Sequence, residues 1–504
     1  MTTPPSAAPH RVAQHSAARH RGRLAGLLFV LVWLSCAWFG SWEWNPNNAT
    51  RLFAALSIVE DGDATIDEYA PLTVDKAKFG QHYYLDKAPG ITLMALPSVW
   101  LVDRMTGQTA HDVTLSVGNY ASEHYLRQRL RPAAASGAAL LTAIAAVLVF
   151  LMAGELGGSE AAGAFAAVGF ALGTPMWGWS TSLFGHAPVA ALLMIATWAV
   201  WRGTEEDTPS LGHAALAGVA LGWAVVVEYP ALIEGAPLGV WALWRLWRYP
   251  SARRTRALVA AVVPALVAAA ILLGYNQFAF GTPFRVGYSG VVGFEGMDEG
   301  LFGLTYPKPH VLYEILVGGH RGMLWVAPVL GLGAYGLWRL LRMPGRRDVA
   351  VMAIASVVVV FVYNASYAYW DGGNATGPRH AVPAMGFLAL GLAPAWAALR
   401  SRAMRAAALA LLAVSIAINL TIASAEIASG GKGKFPLFSD VIHDRFLQGQ
   451  LRTIPNEWWG YTAFEGLALY LLLAGLIGIA LVAQLVRPGG AWRTVPPAAL
   501  PATG

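Results

Sequence analysis

The sequence is short of charge and almost devoid of cysteine. Only 13% of its 504 residues are Asp, Glu, Lys or Arg, against about a quarter in ordinary soluble domains. With 56% hydrophobic residues and a mean hydropathy of +0.49, a soluble fold has no interior large enough to hide the apolar side chains. The single cysteine, Cys36, excludes an intramolecular disulfide and a thiolate metal cluster. No GxxxxGK[ST] loop and no HExxH motif occurs, which removes support for a P-loop ATP-driven pump and for a zinc protease of that kind. The apolar/polar alternation that an outer-membrane barrel requires is missing as well.

What the chain has instead is a series of continuous Ala- and Leu-rich runs. A helical run of roughly 20 residues, rising about 1.5 Å per residue, crosses a hydrocarbon core of about 30 Å. Hydropathy therefore predicts an all-α polytopic membrane protein with about twelve transmembrane helices. The spans are read at 24–42, 133–153, 161–177, 183–201, 211–227, 231–247, 257–275, 323–338, 349–363, 381–399, 406–423 and 464–486. A basic segment with Arg11, Arg19, Arg21 and Arg23 precedes the first run; with no small-residue cleavage pattern behind it, that run reads as an uncleaved first helix.

With a cytoplasmic N-terminus, the same count puts Arg253, Arg254, Arg256, Arg342, Arg346, Arg347, Arg400, Arg402 and Arg487 on the cytoplasmic side, where basic residues collect. The formal charge of +6 thus reports topology, and no nucleic-acid partner is expected. The domain reading is a cytoplasmic segment 1–23, a transmembrane domain 24–486, and a Pro/Ala-rich, disordered cytoplasmic tail 487–504. All long loops then fall outside: 43–132, 276–321, 367–380 and 424–463. Long ordered loops carry chemistry more often than short connectors do. Within the first, 90–102 is apolar but too short to span and is expected to lie along the outer interface.

That first loop concentrates charge: Glu43, Arg51, Glu60, Asp61, Asp63, Asp67, Asp75, Lys76, Asp86 and Lys87. Three stretches set acid and base beside aromatics or against the membrane: NATR (Asn48 to Arg51), TVDKAKFG (Thr73 to Gly80) and YYLDKAPG (Tyr83 to Gly90, with Tyr84). Group transfer to a hydroxyl or amine needs a carboxylate to take the proton and cations to hold a leaving phosphate. Asp75 and Asp86 suit the first role, Lys87 and Arg379 the second. The plain alternative at each position is a solvated loop of paired charges.

In WDGGNATGPRH, Trp370 to His380, paired glycines admit close backbone approach, and Arg379 and His380 stand at a helix start, the elements of a phosphate seat. The alternative is headgroup anchoring by Arg379, and His320 and Arg321 are read as headgroup anchors. Glu228, just before Tyr229 and Pro230, is costly at membrane depth unless it lines a wet cavity or pairs with an Arg, and Glu234 poses the same puzzle. The sequons at Asn48, Asn364 and Asn374 decide nothing.

YYLDKAPG, followed by an amphipathic segment, resembles the acid-Lys-Pro-Pro element in the first periplasmic loop of the family C glycosyltransferases, the aminoarabinose transferase and protein O-mannosyltransferase group. NATRLFAALSIVEDGD resembles that family's stretch after the first helix, where an acidic residue precedes an Arg; here Asn48 stands at the acidic place. A neutral amide cannot accept a proton at useful pH, so Asp75 is read as the substitute. LFGHAPVA carries His186 where relatives often have Asp, a base, phosphate donor or metal ligand in principle. YNQFAFGTPF, GGHRGMLWVAP and WDGGNATGPRH resemble a bacterial branch of the superfamily with the same layout of spans.

The resemblance implies an inverting enzyme of the inner membrane. It would move a sugar from a polyprenyl-phosphate donor to a lipid, glycan or protein acceptor at the periplasmic face, among membrane lipids. Asp75 and Asp86 would be catalytic; Lys87, Arg379 and His186 would bind the donor phosphate; Arg51, Lys76, Asn48, Glu228, Tyr84 and His380 would support them. No cofactor is specified, and a divalent metal is compatible with carboxylates near His186 although the spacing identifies no ligand set. The competing reading is a secondary transporter or lipid flippase, which would place ionisable residues near the bilayer midplane in two matching halves. The middles of these spans are almost free of charge.

Overall fold

The computed structural model describes residues 8–428 and 433–487, so the predicted tail beyond Arg487 lies outside the described residues. Helices dominate, and the described residues contain one two-stranded hairpin. Seven helices are long and apolar enough to cross a membrane: Ala17–Trp38, Tyr120–Gly157, Ser251–Phe280, Arg347–Ser366, Arg379–Ala398, Arg402–Ala425 and Ala463–Val486. The other five predicted spans also hold helices, Glu160–Ala171, His186–Gly203, Leu211–Val227, Ala236–Leu246 and Leu330–Leu340, each shorter or less apolar. Proline explains two of the interruptions. Pro230 separates Leu211–Val227 from the next helical turn, and Pro328 separates Met323–Val326 from Leu330–Leu340.

The helices differ in how much of their surface the protein itself covers. The apolar window of Tyr120–Gly157 is 67% buried, whereas that of Ser251–Phe280 is 11% buried. The first is a central strut; the second packs against Leu211–Val227 and leaves Val259, Val263, Leu266 and Val267 for lipid.

Within the predicted loop 43–132 a helix already begins at Tyr120, where the Asn119 side chain accepts from the Ser122 amide at 3.2 Å. Pro132 sits inside this helix, and a π-helical turn at Ala135–Ala139 follows it, the usual place for the ladder to absorb a lost N–H. Arg127, Arg129 and Arg131 on this helix are buried in ion pairs. Arg127 meets Glu43 at 2.8 Å, Arg129 meets Asp103 at 2.6 Å, Arg131 bonds Glu457, and Arg452 meets Glu43 at 2.8 Å. These contacts bind residues 43–131 and residues 452–457 into one cap.

Within the cap, α1 (Ala8–Trp38) leads to α2 (Pro46–Leu56), then the hairpin of β1 (Ala77–Phe79) and β2 (His82–Tyr84), then α3 (Gly90–Thr106). The strands pair antiparallel with Ala77 opposite Tyr84. The segment predicted to lie along the interface is α3; it buries Ile91, Ala95 and Val99 and exposes Trp100, Leu101 and Met105.

Candidate active site

Local rules place the first group of side chains. The Asn45 side chain caps α2, accepting from the Asn47 amide at 3.1 Å, and Pro46 fits the first turn. Asn47 and Arg51 are then one turn apart on the same face. Asp75 precedes β1, its amide donating to Thr73 Oγ1 at 3.2 Å. Asp86 and Lys87 follow β2 and run into α3. Gly90 opens α3 against the end of Leu211–Val227, where a Cβ would meet the Val226 carbonyl oxygen at 2.6 Å, so only glycine permits the contact. That contact brings Glu228, the next residue of the neighbouring helix end, to Arg51 at 2.5 Å.

These side chains form one wall of a cavity of about 310 Å³. Asn45, Asn47, Asp75, Asp86, Lys87 and Glu228 line that wall; Tyr367, Tyr369, Asn374, Arg379 and His380 line the other. Tyr288, Phe294 and Met297, from the segment after helix Ser251–Phe280, close the side. This segment is pinned to the hairpin by the Val292 amide donating to the Lys76 carbonyl at 3.1 Å and by a bridge between Ala77 and Val291. A smaller cavity of about 30 Å³ shares Glu228, His186, His380, Tyr288 and Tyr367 and reaches Glu234 and Tyr363.

The first wall is a continuous chain of charge and hydrogen bonds. Glu228 accepts from Arg51, Arg51 donates to Asn47 Oδ1, and Asn47 Nδ2 donates to Asp75 Oδ2 at 2.7 Å. Lys87 Nζ lies 3.4 Å from the same Asp75 oxygen and donates to Asp86 Oδ2. Burial pushes the Asp86 carboxyl above the usual carboxylate range, and Lys87 opposes this only in part. Burial acts to lower the Lys87 ammonium, but Asp75 and Asp86 together outweigh it and hold the group charged to higher pH than usual.

The opposite wall is built differently. Gly372 and Gly373 adopt φ of +71° and +60°, a left-handed turn suited to glycine. Arg321 clamps the turn, donating to the Asp371 carbonyl at 2.7 Å and the Gly373 carbonyl at 2.5 Å. Arg321 is buried, which overturns its reading as a headgroup anchor; neutralising the carbonyl ends of a Gly turn is its observed work. His320 meets the Gly433 carbonyl at 3.1 Å. Arg379 lines the cavity instead of reaching outward to lipid, with its guanidinium 5.5 Å from the Phe184 ring centre. Among the described residues, its Nε and the Nε2 of His380 are buried without a hydrogen-bond partner. The His380 ring also stands 5.1 Å from His186, at the start of helix His186–Gly203.

Of the side chains singled out from sequence, Asp75, Asp86, Lys87, His186, Glu228, Arg379 and His380 line this cavity, and Arg51 stands behind it. Three lie elsewhere. Asn48 is spent on structure, donating to Ser41 Oγ and the Trp42 carbonyl and accepting from the Leu183 amide at 3.0 Å. Lys76 donates to the Ala70 carbonyl and lies 5.3 Å from the Tyr83 ring centre, while Tyr84 packs on Phe79 and Phe280. Sequence reasoning passed over Asn47, Tyr288, Tyr367 and Tyr369. Asn47 was findable: it is four residues before Arg51, which puts both on one helix face. The tyrosines come from loops whose approach no spacing encodes. Among the described residues, no three His, Cys, Asp or Glu side chains gather as a metal-ligating group, so the carboxylates do not assemble a ligand set around His186.

Residues 75–287 match the family model described as Dolichyl-phosphate-mannose-protein mannosyltransferase. No curated protein matches the chain significantly. Among solved structures, ArnT from Cupriavidus metallidurans bound to undecaprenyl phosphate is similar over 91% of this chain and 77% of its own, at 15% identity and a TM-score of 0.44. The same protein in the apo state is similar over 95% and 74%, at 15% identity and a TM-score of 0.46. The S. cerevisiae protein O-mannosyltransferase Pmt1-Pmt2 complex bound to the sugar donor is similar over 59% of this chain and 36% of its own, at 14% identity and a TM-score of 0.36.

Proposed function

We propose that this multi-pass membrane protein, which resembles the family C glycosyltransferases of the protein mannosyltransferase and ArnT kind, moves a sugar from a polyprenyl-phosphate donor to a lipid, glycan or protein acceptor. The reaction takes place at the outer, periplasmic face of the inner membrane. About twelve spans lie between a cytoplasmic segment 1–23 and a cytoplasmic tail 487–504, as the distribution of basic residues suggests. The observation that carries the reading is the cavity itself: a carboxylate, Asp75, stands beside Lys87 in a cavity also lined by Arg379, whose buried Nε has no hydrogen-bond partner among the described residues.

Asp75 takes the proton of an acceptor hydroxyl as its oxygen bonds to the anomeric carbon. The bond from that carbon to the phosphate oxygen breaks, and polyprenyl phosphate leaves with the electron pair. Lys87 and Arg379 hold the phosphate charge as it grows, which fixed donors do best where water is scarce. His186 and His380 lend further donors. Asp86 keeps Lys87 in place and charged.

The test is transfer of labelled sugar from a panel of polyprenyl-phosphate donors by the purified protein in liposomes, compared with Asp75→Asn. Transfer by the parent and its loss in the folded variant support the reading. Movement of a lipid or solute across the bilayer with no donor consumed replaces it with the transporter.

A further inference from the structure

We infer that Asn47 is a positioning residue that orients Asp75 for proton abstraction, an inference that rests on the transferase reading above. Its amide is engaged at both ends: Oδ1 accepts from Arg51 and Nδ2 donates to Asp75 Oδ2 at 2.7 Å. A flipped amide would set its NH2 against the guanidinium and its carbonyl against the carboxylate, so the orientation is unique. Arg51 is itself immobile. It is fully buried, meets Glu228 at 2.5 Å, and its carbonyl accepts from Thr92 Oγ1 at 3.0 Å. The helical turn of α2 carries this rigidity to Asn47, which is 8% exposed and lines the cavity.

The consequence falls on the two oxygens of Asp75. Oδ2 is occupied by Asn47 and by Lys87 at 3.4 Å; among the described residues Oδ1 makes no hydrogen bond. Oδ1 is therefore the oxygen open to an acceptor's proton. The groups facing Asp75 are Lys87 and Asp86 from the segment before α3, Arg379 from the opposite wall, and Arg51 and Glu228 behind Asn47. An amide at position 47 has an electrostatic role that an acid would not share. It donates to the ionised carboxylate, whereas a second carboxylate at that distance would share a proton with the base.

The experiment compares Asn47→Ala and Asn47→Asp with the parent for kcat, KM, the pH profile of kcat and the melting temperature. Loss of orientation lowers kcat by on the order of a hundredfold. KM for the donor stays within about twofold, since no substrate contact is removed. The acid limb of the profile moves to higher pH in the Ala variant and further in the Asp variant, which keeps the side-chain volume and an acceptor for Arg51 and so reports even where the Ala variant folds poorly. An unmoved acid limb with kcat falling in step with the melting temperature means the amide is only structural, and a rise in KM alone means it touches substrate; either overturns the inference. A parent that transfers sugar while both variants match it overturns this inference alone. A parent inactive with every donor overturns the transferase reading with it.

Discussion

The two walls of the cavity are charged in opposite styles. On the first-loop wall every ionised group has a partner: Glu228 with Arg51, Asp75 with Asn47 and Lys87, Asp86 with Lys87. On the 367–380 wall, Arg379 Nε and His380 Nε2 are buried with no hydrogen-bond partner among the described residues, although Arg321 just behind them donates to backbone carbonyls. A buried donor left unmade costs about 1–3 kcal/mol, more if charged. Both walls carry some of that cost, since Arg51 Nε and Asp86 Oδ1 on the first wall are also without a hydrogen-bond partner among the described residues. The difference is that each charged group of the first wall has an ion-pair or hydrogen-bond partner at another atom, and Arg379 has no ion pair there. The paired wall is held by its own ion pairs, and under the proposed function the wall with the unpaired cation is where a ligand's oxygens would complete the bonding.

Breaking the comparison at its centre gives the largest effect. Asp75→Asn keeps the size of the side chain but removes the proton acceptor, and initial transfer rates should fall by about 10²–10⁴-fold. Retention of rate would move the base to another residue. Next comes a direct contrast of the walls by melting temperature and donor KM. Lys87→Ala leaves Asp86 buried and unpaired, which should cost about 3 kcal/mol of stability as well as activity. Arg379→Ala removes a cation that has no ion pair among the described residues and should cost less stability than Lys87→Ala, while donor KM rises at least about tenfold through loss of a charge-assisted contact. Equal stability losses in both variants would erase the distinction between the walls.

A subtler effect follows from the raised Asp86 carboxyl. The folded state holds this proton more tightly than the unfolded chain does, so the group favours folding below its unfolded value and that support is lost as pH rises through the raised one. Asp86→Asn removes the dependence. Its melting temperature relative to the parent should shift in the variant's favour from acid to neutral pH, and a shift the other way would show that the pairing with Lys87 dominates. The smallest effect is expected at Lys76, which belongs to neither wall: Lys76→Ala should leave kcat/KM within about twofold, and a larger loss would extend the site to the hairpin.

Much of this was legible in residue order. Long apolar runs located the helices, because lipid demands internal hydrogen bonding and an apolar surface over the whole crossing. Asp75, Asp86 and Lys87 stood out because acid, base and aromatics crowd a loop at the membrane edge. Misreadings came where a residue's partner is remote in sequence. The partners of Asn48, namely Ser41, Trp42 and Leu183, could not be read from the sequence. Arg321 reads as a lipid anchor until the Gly372–Gly373 turn folds over it. The helix from Tyr120 runs through Pro132, where sequence rules predict a boundary, because its arginines find buried partners in the cap.

By itself, then, the sequence determined that the chain builds apolar helices and which loops contribute charged residues to the cavity, since both follow from local composition and short-range spacing. Tertiary structure alone decided which charges meet. Arg51 and Glu228 are 177 residues apart in the chain and 2.5 Å apart in space, and Arg379 faces Asp75 and Lys87 across a cavity that no spacing encodes. Helix and turn preferences act over a few residues. The pairing of buried charges depends on where whole helices come to rest against one another, and a single glycine, Gly90, is what lets that approach happen here.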